Sequence, residues 1–103
     1  MTRKKAPEKF TDILEKIREC IEQENYQFSQ HALDRVRERG IDIHTSLYVL
    51  LNGYEEKRKT TFDKDNNNWK YAIRGKTRDD LDIRIIVVID EHGMIVITVM
   101  YVL

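Results

Sequence analysis

The spacing of apolar residues divides the chain into a helical first half and an extended second half. Up to Gly53 the apolar residues recur at steps of three and four, which is the period of a buried helix face. This period predicts three helices, at residues 7–24, 30–39 and 42–52. Pro7 suits the first turn of a helix, and Ser29 and Gly40 suit the N- and C-terminal caps of the second one.

After Gly53 the period changes to two, and turn-forming clusters separate the apolar segments. Four strands are predicted, at residues 55–62, 69–75, 81–90 and 94–102. The connections between them are short, which permits antiparallel hairpins and excludes parallel crossovers. We therefore expect a single α+β domain over residues 7–103, with three N-terminal helices packed on a C-terminal four-stranded antiparallel sheet. A flexible basic tail at residues 1–6 is expected to precede it.

The last two predicted strands carry apolar residues on both faces. In the third strand Ile86 and Val88 share the face of Asp82 and Arg84, whereas the other face is wholly apolar. A sheet covered on one side only would alternate more cleanly. We therefore expect its second side to be partly covered, by the first helix or by a partner protein.

Composition narrows the class of protein without naming a ligand. The 103 residues include 18 basic and 18 acidic ones, so the chain lacks the global positive charge of a nucleic-acid binder. There is no apolar run of the roughly 20 residues that a membrane helix needs, and no hydrophobic signal segment at the start. The expected location is the cytoplasm. The lone Cys20 repeats in phase with the apolar face of the first helix, which favours a structural thiol.

The second predicted helix carries His31, Arg35 and Arg39 at successive four-residue steps. Such steps place them on one stripe about 12 Å long and about 80° wide. An imidazole titrates near neutral pH and guanidinium groups bind phosphate oxygens in pairs, so this stripe suits phosphodiester chemistry. His31 would transfer a proton and the arginines would hold the phosphate. The alternative is that Asp34 and Glu38 pair with the arginines as ordinary solvated charges.

The predicted sheet carries a second group of cations, which are Lys57, Lys70, Arg74 and Arg84. Such a basic surface could follow an RNA backbone, with His31 at its edge. The alternative is that the lysines protect edge strands against association. Trp69 shares the phase of its apolar strand neighbours, which favours a packing role over base stacking.

Several reaction classes lack their motifs. The sequence has no glycine-rich phosphate loop, nucleophile elbow, cysteine-rich zinc site or paired catalytic carboxylates. His44 and His92 have no partner spacing that suggests metal binding. Any catalysis is therefore expected to be metal-independent acid-base chemistry that needs no cofactor.

The run from Phe28 to Ile41, which contains the His31-Ala32 and Arg39-Gly40 pairs, resembles the opening signature of the domain-of-unknown-function 4258 family. The segments 50–53 and 85–98 are similar to its later landmarks, so the resemblance covers about residues 26–101. The family's last-strand tyrosine position holds Met100 here. Tyr101 follows it and is expected on the opposite face.

This resemblance implies a compact fold related to the RelE and MqsR toxins and an endoribonuclease activity on messenger RNA. It also implies a small antitoxin partner, of the YgiT zinc-finger or helix-turn-helix type. His31, Arg35 and Arg39 match the family's motif positions. The leading hypothesis is thus a toxin-like endoribonuclease with His31 and Arg35 as catalytic residues. The alternatives are a non-catalytic protein-binding module and an RNA-binding domain without cleavage.

Overall fold

A computed structural model describes residues 5–103, so residues 1–4 of the predicted tail lie outside the described residues. Three helices and six strands follow one another along this part of the chain. They are α1 (Ile13–Glu22), β1 (Tyr26–Phe28), α2 (Gln30–Arg39), α3 (Ile43–Asn52), β2 (Tyr54–Glu55), β3 (Thr61–Asp63), β4 (Asn68–Lys76), β5 (Asp82–Asp90) and β6 (Gly93–Tyr101).

The sheet is six-stranded and mixed, so the prediction of a four-stranded antiparallel sheet is wrong, although the class remains α+β. The strand order is β1-β6-β5-β4-β2, and β3 also pairs with β4. The β4, β5 and β6 strands form the expected antiparallel hairpins. The missed strand, β1, pairs in parallel with β6, with Tyr26 opposite Met94. A three-residue strand is too short for a periodic signal, and its partner lies far away in the sequence.

The predicted strand at residues 55–62 is divided into β2 and β3 by a tight turn. Lys59 and Thr60 donate backbone N–H bonds to the carbonyl of Glu56 at 2.9 and 3.1 Å. The Thr60 hydroxyl then accepts the N–H of Ala72 in β4 at 3.2 Å, at the point where a continuous strand would have paired. The turn at residues 57–59 is consequently a surface projection.

The first helix begins at Ile13, because Asp12 caps it by accepting the N–H of Glu15 at 3.2 Å. The preceding residues, predicted to be helical from Pro7, run along β4. Trp69 Nε1 donates to the carbonyl of Pro7 at 3.0 Å, and the Tyr71 hydroxyl accepts the N–H of Phe10 at 2.9 Å. Contacts with these two β4 side chains replace the helix that Pro7 would have favoured.

Helix α2 lies where its predicted caps placed it, and α3 begins one residue after its predicted start at Asp42. The Ser29 hydroxyl accepts the N–H of Ala32 at 3.1 Å, and Gly40 adopts φ +66° at the C-terminal cap of α2. Asp42 caps α3 by accepting the N–H of Thr45 at 2.6 Å, and Gly53 ends that helix.

All three helices contribute to one core on a single face of the sheet. Ile13, Ala32 and Leu50, one from each helix, are buried with the β5 side chains Ile83 and Ile85. The first helix thus does not cover the second face of the sheet, in contrast to one of the two expectations. We call this second face the open face. No helix in residues 5–103 is long and apolar enough to cross a membrane.

Strand β6 contains an irregularity that changes which side chains face the helices. Ile86 of β5 pairs with Thr98, but the next residue, Val87, pairs with Val96, so Ile97 is inserted between them. As a result Val96 and Val99 are both buried although they are three residues apart. The insertion is a β-bulge, which bends a strand and alters its phase.

Candidate functional site

Both ends of helix α2 are bonded to the outer edge of β6. At its start, the Ser29 N–H donates to the carbonyl of Val96 at 2.9 Å and the Ser29 hydroxyl donates to that of Ile97 at 3.1 Å. At its end, the Arg39 guanidinium donates to the carbonyl of Val99, and the Tyr101 hydroxyl donates to the carbonyl of Arg39 at 2.9 Å. The helix therefore covers the edge of β6 beyond β1, and its orientation is fixed.

His31 and Arg35 project from this helix on the flank beside its buried face. His31 is exposed and makes no side-chain hydrogen bond within residues 5–103. Arg35 is half-buried and forms an ion pair with Glu38 one turn later, whereas Asp34 accepts a hydrogen bond from Gln30, so only part of the solvated-charge alternative is seen. Because the Glu38 side chain is well exposed, this ion pair contributes little to stability.

Arg39 differs from the other two residues of the stripe. Its guanidinium is engaged with the backbone of β6, so the structure gives it a role in attaching the helix. A guanidinium that satisfies an edge carbonyl also obstructs the addition of another strand there. Of the roles predicted for the three stripe residues, RNA binding by Arg39 is thus the one that the structure supports least.

Arg74 and Arg84 lie opposite each other on β4 and β5, on the open face, and both are bound to carboxylates. Glu56 Oε1 accepts from Arg84 Nε at 2.6 Å, and Glu56 Oε2 accepts from Arg84 Nη2 at 3.2 Å and Arg74 Nη1 at 3.3 Å. Asp82 binds Arg74 through Nη2 at 2.6 Å. We call these four residues the arginine–carboxylate network.

Within the network, the pKa values of the carboxylates are lowered and those of the arginines are raised, so the charged forms are favoured. The Arg84 hydrogen bonds hold the pKa of Glu56 below its usual range, and those from Arg74 do the same for the pKa of Asp82. The Glu56 carboxylate in turn raises the pKa of Arg84. All four groups are therefore charged at neutral pH, and the arginines are occupied by protein carboxylates.

The two remaining cations of the predicted basic sheet surface lie in different elements. Lys70 lies 3.6 Å from Asp63 Oδ2, in an ion pair on β3 and β4. Lys57 is exposed in the turn between β2 and β3. The interpretation of Lys57, Lys70, Arg74 and Arg84 as one surface that holds RNA is consequently weakened, since three of the four are paired.

His31 and the paired arginines do not share a cleft. Helix α2 packs on the helix side through Ala32, whereas Arg74 and Arg84 lie on the open face. The hypothesis of a basic sheet surface with His31 at its edge therefore does not fit the fold. What the structure places together is the stripe of α2 and the end of β6. Within residues 5–103, no group of three or more His, Cys, Asp or Glu side chains could hold a metal ion.

The sequence did not reveal the contacts that Glu56 and Tyr101 make around the candidate site. Glu56 was one acidic residue among many, and only the sheet register shows that it lies between two arginines. Tyr101 lies on the helix side, opposite to Met100, as its phase indicated, but its bond to the end of α2 has no local signal. The Ser29 cap was a usable signal for the helix start, although its second bond to Ile97 was not.

The open face also contains a shallow groove with an apolar floor. Its volume is about 430 Å³, and Val88, Ile95 and Ile97 line it below a polar rim that includes Lys70 and Asp90. All three apolar side chains are only half-buried. This is the apolar second face that the strand pattern predicted, and in the described part of the chain no helix covers it.

These features define an α+β protein in which a cation-bearing helix runs along one edge of a mixed sheet. Residues 28–101 match the family described as domain of unknown function (DUF4258). Since the match covers more than half of the chain, the protein belongs to this family. Helix α1 precedes the matched residues yet contributes Ile13 and Ile17 to the core. No curated protein and no solved structure matches the chain.

Proposed function

We propose that this protein is a toxin-like, metal-independent endoribonuclease, a messenger RNA interferase related to RelE and MqsR, which cleaves RNA at the α2 stripe. One observation carries the proposal. Helix α2 is bonded to β6 at both ends and carries, one turn apart, an exposed His31 and an Arg35 that is paired only with the exposed Glu38 among the described residues. A rigid helix holds such a pair within the geometry that proton transfer requires.

The chemistry assigns one step to each residue. Four residues of helix correspond to about 6 Å along its axis, so the two side chains can contact one phosphodiester. The His31 imidazole takes the proton of the ribose 2′-hydroxyl as the 2′-oxygen bonds to phosphorus. The bond to the 5′-oxygen breaks, and that oxygen takes a proton from water. Arg35 leaves Glu38 and stabilises the charge that develops on the phosphate oxygens.

The test compares RNA cleavage by the wild type and by His31→Ala, with His92→Ala as the matched control. His92 is a histidine with an 82% exposed side chain in the turn between β5 and β6. Loss of a general acid or base lowers the rate by about 100-fold or more. We expect this loss for His31→Ala and none for His92→Ala, at unchanged thermal stability. Equal cleavage by all three proteins would remove His31 from the mechanism.

A second candidate function is that of a non-catalytic protein-binding module, and the uncovered apolar groove on the open face favours it.

The same groove is where we propose that a small antitoxin, of the YgiT zinc-finger or helix-turn-helix type, binds the toxin. Ile95→Lys would then abolish co-purification with a small protein encoded beside this one, whereas His31→Ala would not. A partner that is retained by Ile95→Lys would exclude this face.

A further inference from the structure

The turn between β2 and β3 carries three consecutive cations, which are Lys57, Arg58 and Lys59, and all three are exposed. None of them forms an ion pair with any residue in 5–103, unlike Arg35, Lys70 and Arg74. In a chain whose net charge is zero, these three residues concentrate positive charge in one turn, and no ion pair within the described residues offsets it. Exposed consecutive cations attract a polyanion, and each phosphate contact releases counter-ions.

An exposed aromatic residue, Tyr54, precedes this turn by three residues in the chain. Tyr54 is 55% exposed, although it is in a strand. It pairs with Arg74 across the β2–β4 register. Because residues directly opposite in antiparallel strands point to the same face, Tyr54 lies on the open face, at the outer edge of the sheet. Aromatic rings beside cations are the means by which proteins bind unpaired RNA, since bases stack on the ring while the cations hold phosphates.

The turn is fixed to the sheet rather than merely attached at its ends. Glu56 precedes the three cations and is bound by Arg74 and Arg84. Thr60 follows them and is bonded to Glu55 Oε2 at 2.8 Å and to the N–H of Ala72. Arg74 and Arg84, which the sequence predicted to bind RNA, therefore bind Glu56 instead. Through Glu56 they hold in place the turn that carries the unpaired cations.

We propose that Tyr54 and the turn Lys57–Arg58–Lys59 form a binding surface for single-stranded RNA, with Arg74 and Arg84 as positioning residues. The surface lies at the β2 edge, with β4 and β5 between it and the β6 edge that α2 covers. It is therefore distinct from the α2 stripe. The inference rests on the proposed function only in taking RNA as the ligand, and it does not require cleavage.

The test measures binding of a short 2′-O-methyl oligouridine, which cannot be cleaved through its 2′-oxygen, by fluorescence anisotropy. The triple variant Lys57→Gln, Arg58→Gln, Lys59→Gln is compared with the wild type at about 50 mM and about 200 mM salt. The logarithm of the binding constant falls linearly with the logarithm of the salt concentration, and we call the steepness of this fall the salt slope. The loss of three phosphate contacts to a single strand reduces the salt slope by about 2. The affinity of the wild type should therefore fall about 20-fold more across this range than that of the variant. A control with the same charge change replaces Lys5, Arg18 and Lys64, which are all exposed.

Stacking is tested separately with Tyr54→Ala, for which we expect at least about a fivefold loss of affinity. Tyr54→Phe keeps the ring and should restore binding, and Leu81→Ala removes an exposed apolar side chain elsewhere as the control. Thermal unfolding verifies that every variant is folded.

Equal affinity and salt slope in the wild type and the triple variant would overturn the inference, as would a wild type that does not bind the oligouridine. Aggregation of the triple variant with unchanged RNA affinity would assign the lysines to edge protection and would overturn it as well. The two proposals fail separately. Cleavage that depends on His31 with no effect of the triple variant refutes the surface alone. Binding that depends on the turn without any cleavage refutes the nuclease alone.

Discussion

Replacement of Glu56 by glutamine removes the carboxylate that joins Arg74 to Arg84. Three hydrogen bonds, of 2.6, 3.2 and 3.3 Å, end on its two oxygens, and its side chain is 13% exposed. Hydrogen bonds to charged groups contribute about 1.5 to 3 kcal/mol each. Glutamine retains one acceptor, and solvent screens the partly exposed Arg74, so we expect a net loss of about 2 kcal/mol in the free energy of unfolding. For a domain of this size that corresponds to a Tm lower by roughly 10 °C.

The effect depends on pH with a definite sign. The Arg84 bonds lower the pKa of Glu56, so its contribution is complete above the usual carboxyl pKa of about 4.3 and is lost as the pH falls through the lowered value. Urea unfolding followed by circular dichroism should therefore show the full difference between wild type and Glu56→Gln at pH 7 and a smaller one near pH 3. Glu8→Gln, an exposed carboxylate without an ion pair in residues 5–103, is the control. A difference below about 0.5 kcal/mol at pH 7, or one that is the same at both pH values, would refute the reasoning.

Three further substitutions test the fold around the site. Gly93→Ala should lower stability by about 2 kcal/mol in thermal unfolding, because Gly93 has φ +120° and a Cβ there would overlap the Asn25 side chain; an unchanged Tm would contradict the strain. Arg39→Gln should cost about 1 kcal/mol and speed hydrogen exchange of the last turn of α2, since it loses the bond to Val99; unchanged exchange would show that this bond does not hold the helix. Ile85→Val, fully buried in β5, should cost about 1 kcal/mol in urea unfolding, and a neutral result would mean that the core closes around the lost methyl group.

The positions of α2 and α3 were predictable because their signals are local. Each has a side-chain cap at its start and a glycine at its end, and a cap acts within four residues of the chain. The β4, β5 and β6 strands were equally predictable, since the alternation of apolar and polar residues and the short turns are properties of consecutive residues. The same period placed His31, Arg35 and Arg39 on one stripe before any tertiary contact was known.

The missing parts of the fold depend on residues that meet only after the chain has folded. Strand β1 exists because Tyr26 finds Met94, and the start of α1 is displaced because Trp69 and Tyr71 bind the segment before it. Propensity favoured Pro7 at a helix start, and these distant hydrogen bonds outweighed it.

The sequence by itself determined the α+β class, the capped helices and the central hairpins. It also determined that His31, Arg35 and Arg39 lie on one stripe of α2. Tertiary structure alone decided which cations are available. In the folded protein, Arg74 and Arg84 bind the carboxylates of Glu56 and Asp82. Arg39 is bonded to the backbone of β6, whereas Lys57 forms no ion pair in residues 5–103. The physical reason is that a charge acts on whatever lies within a few ångströms, and sheet register sets those neighbours across distances that no sequence period records.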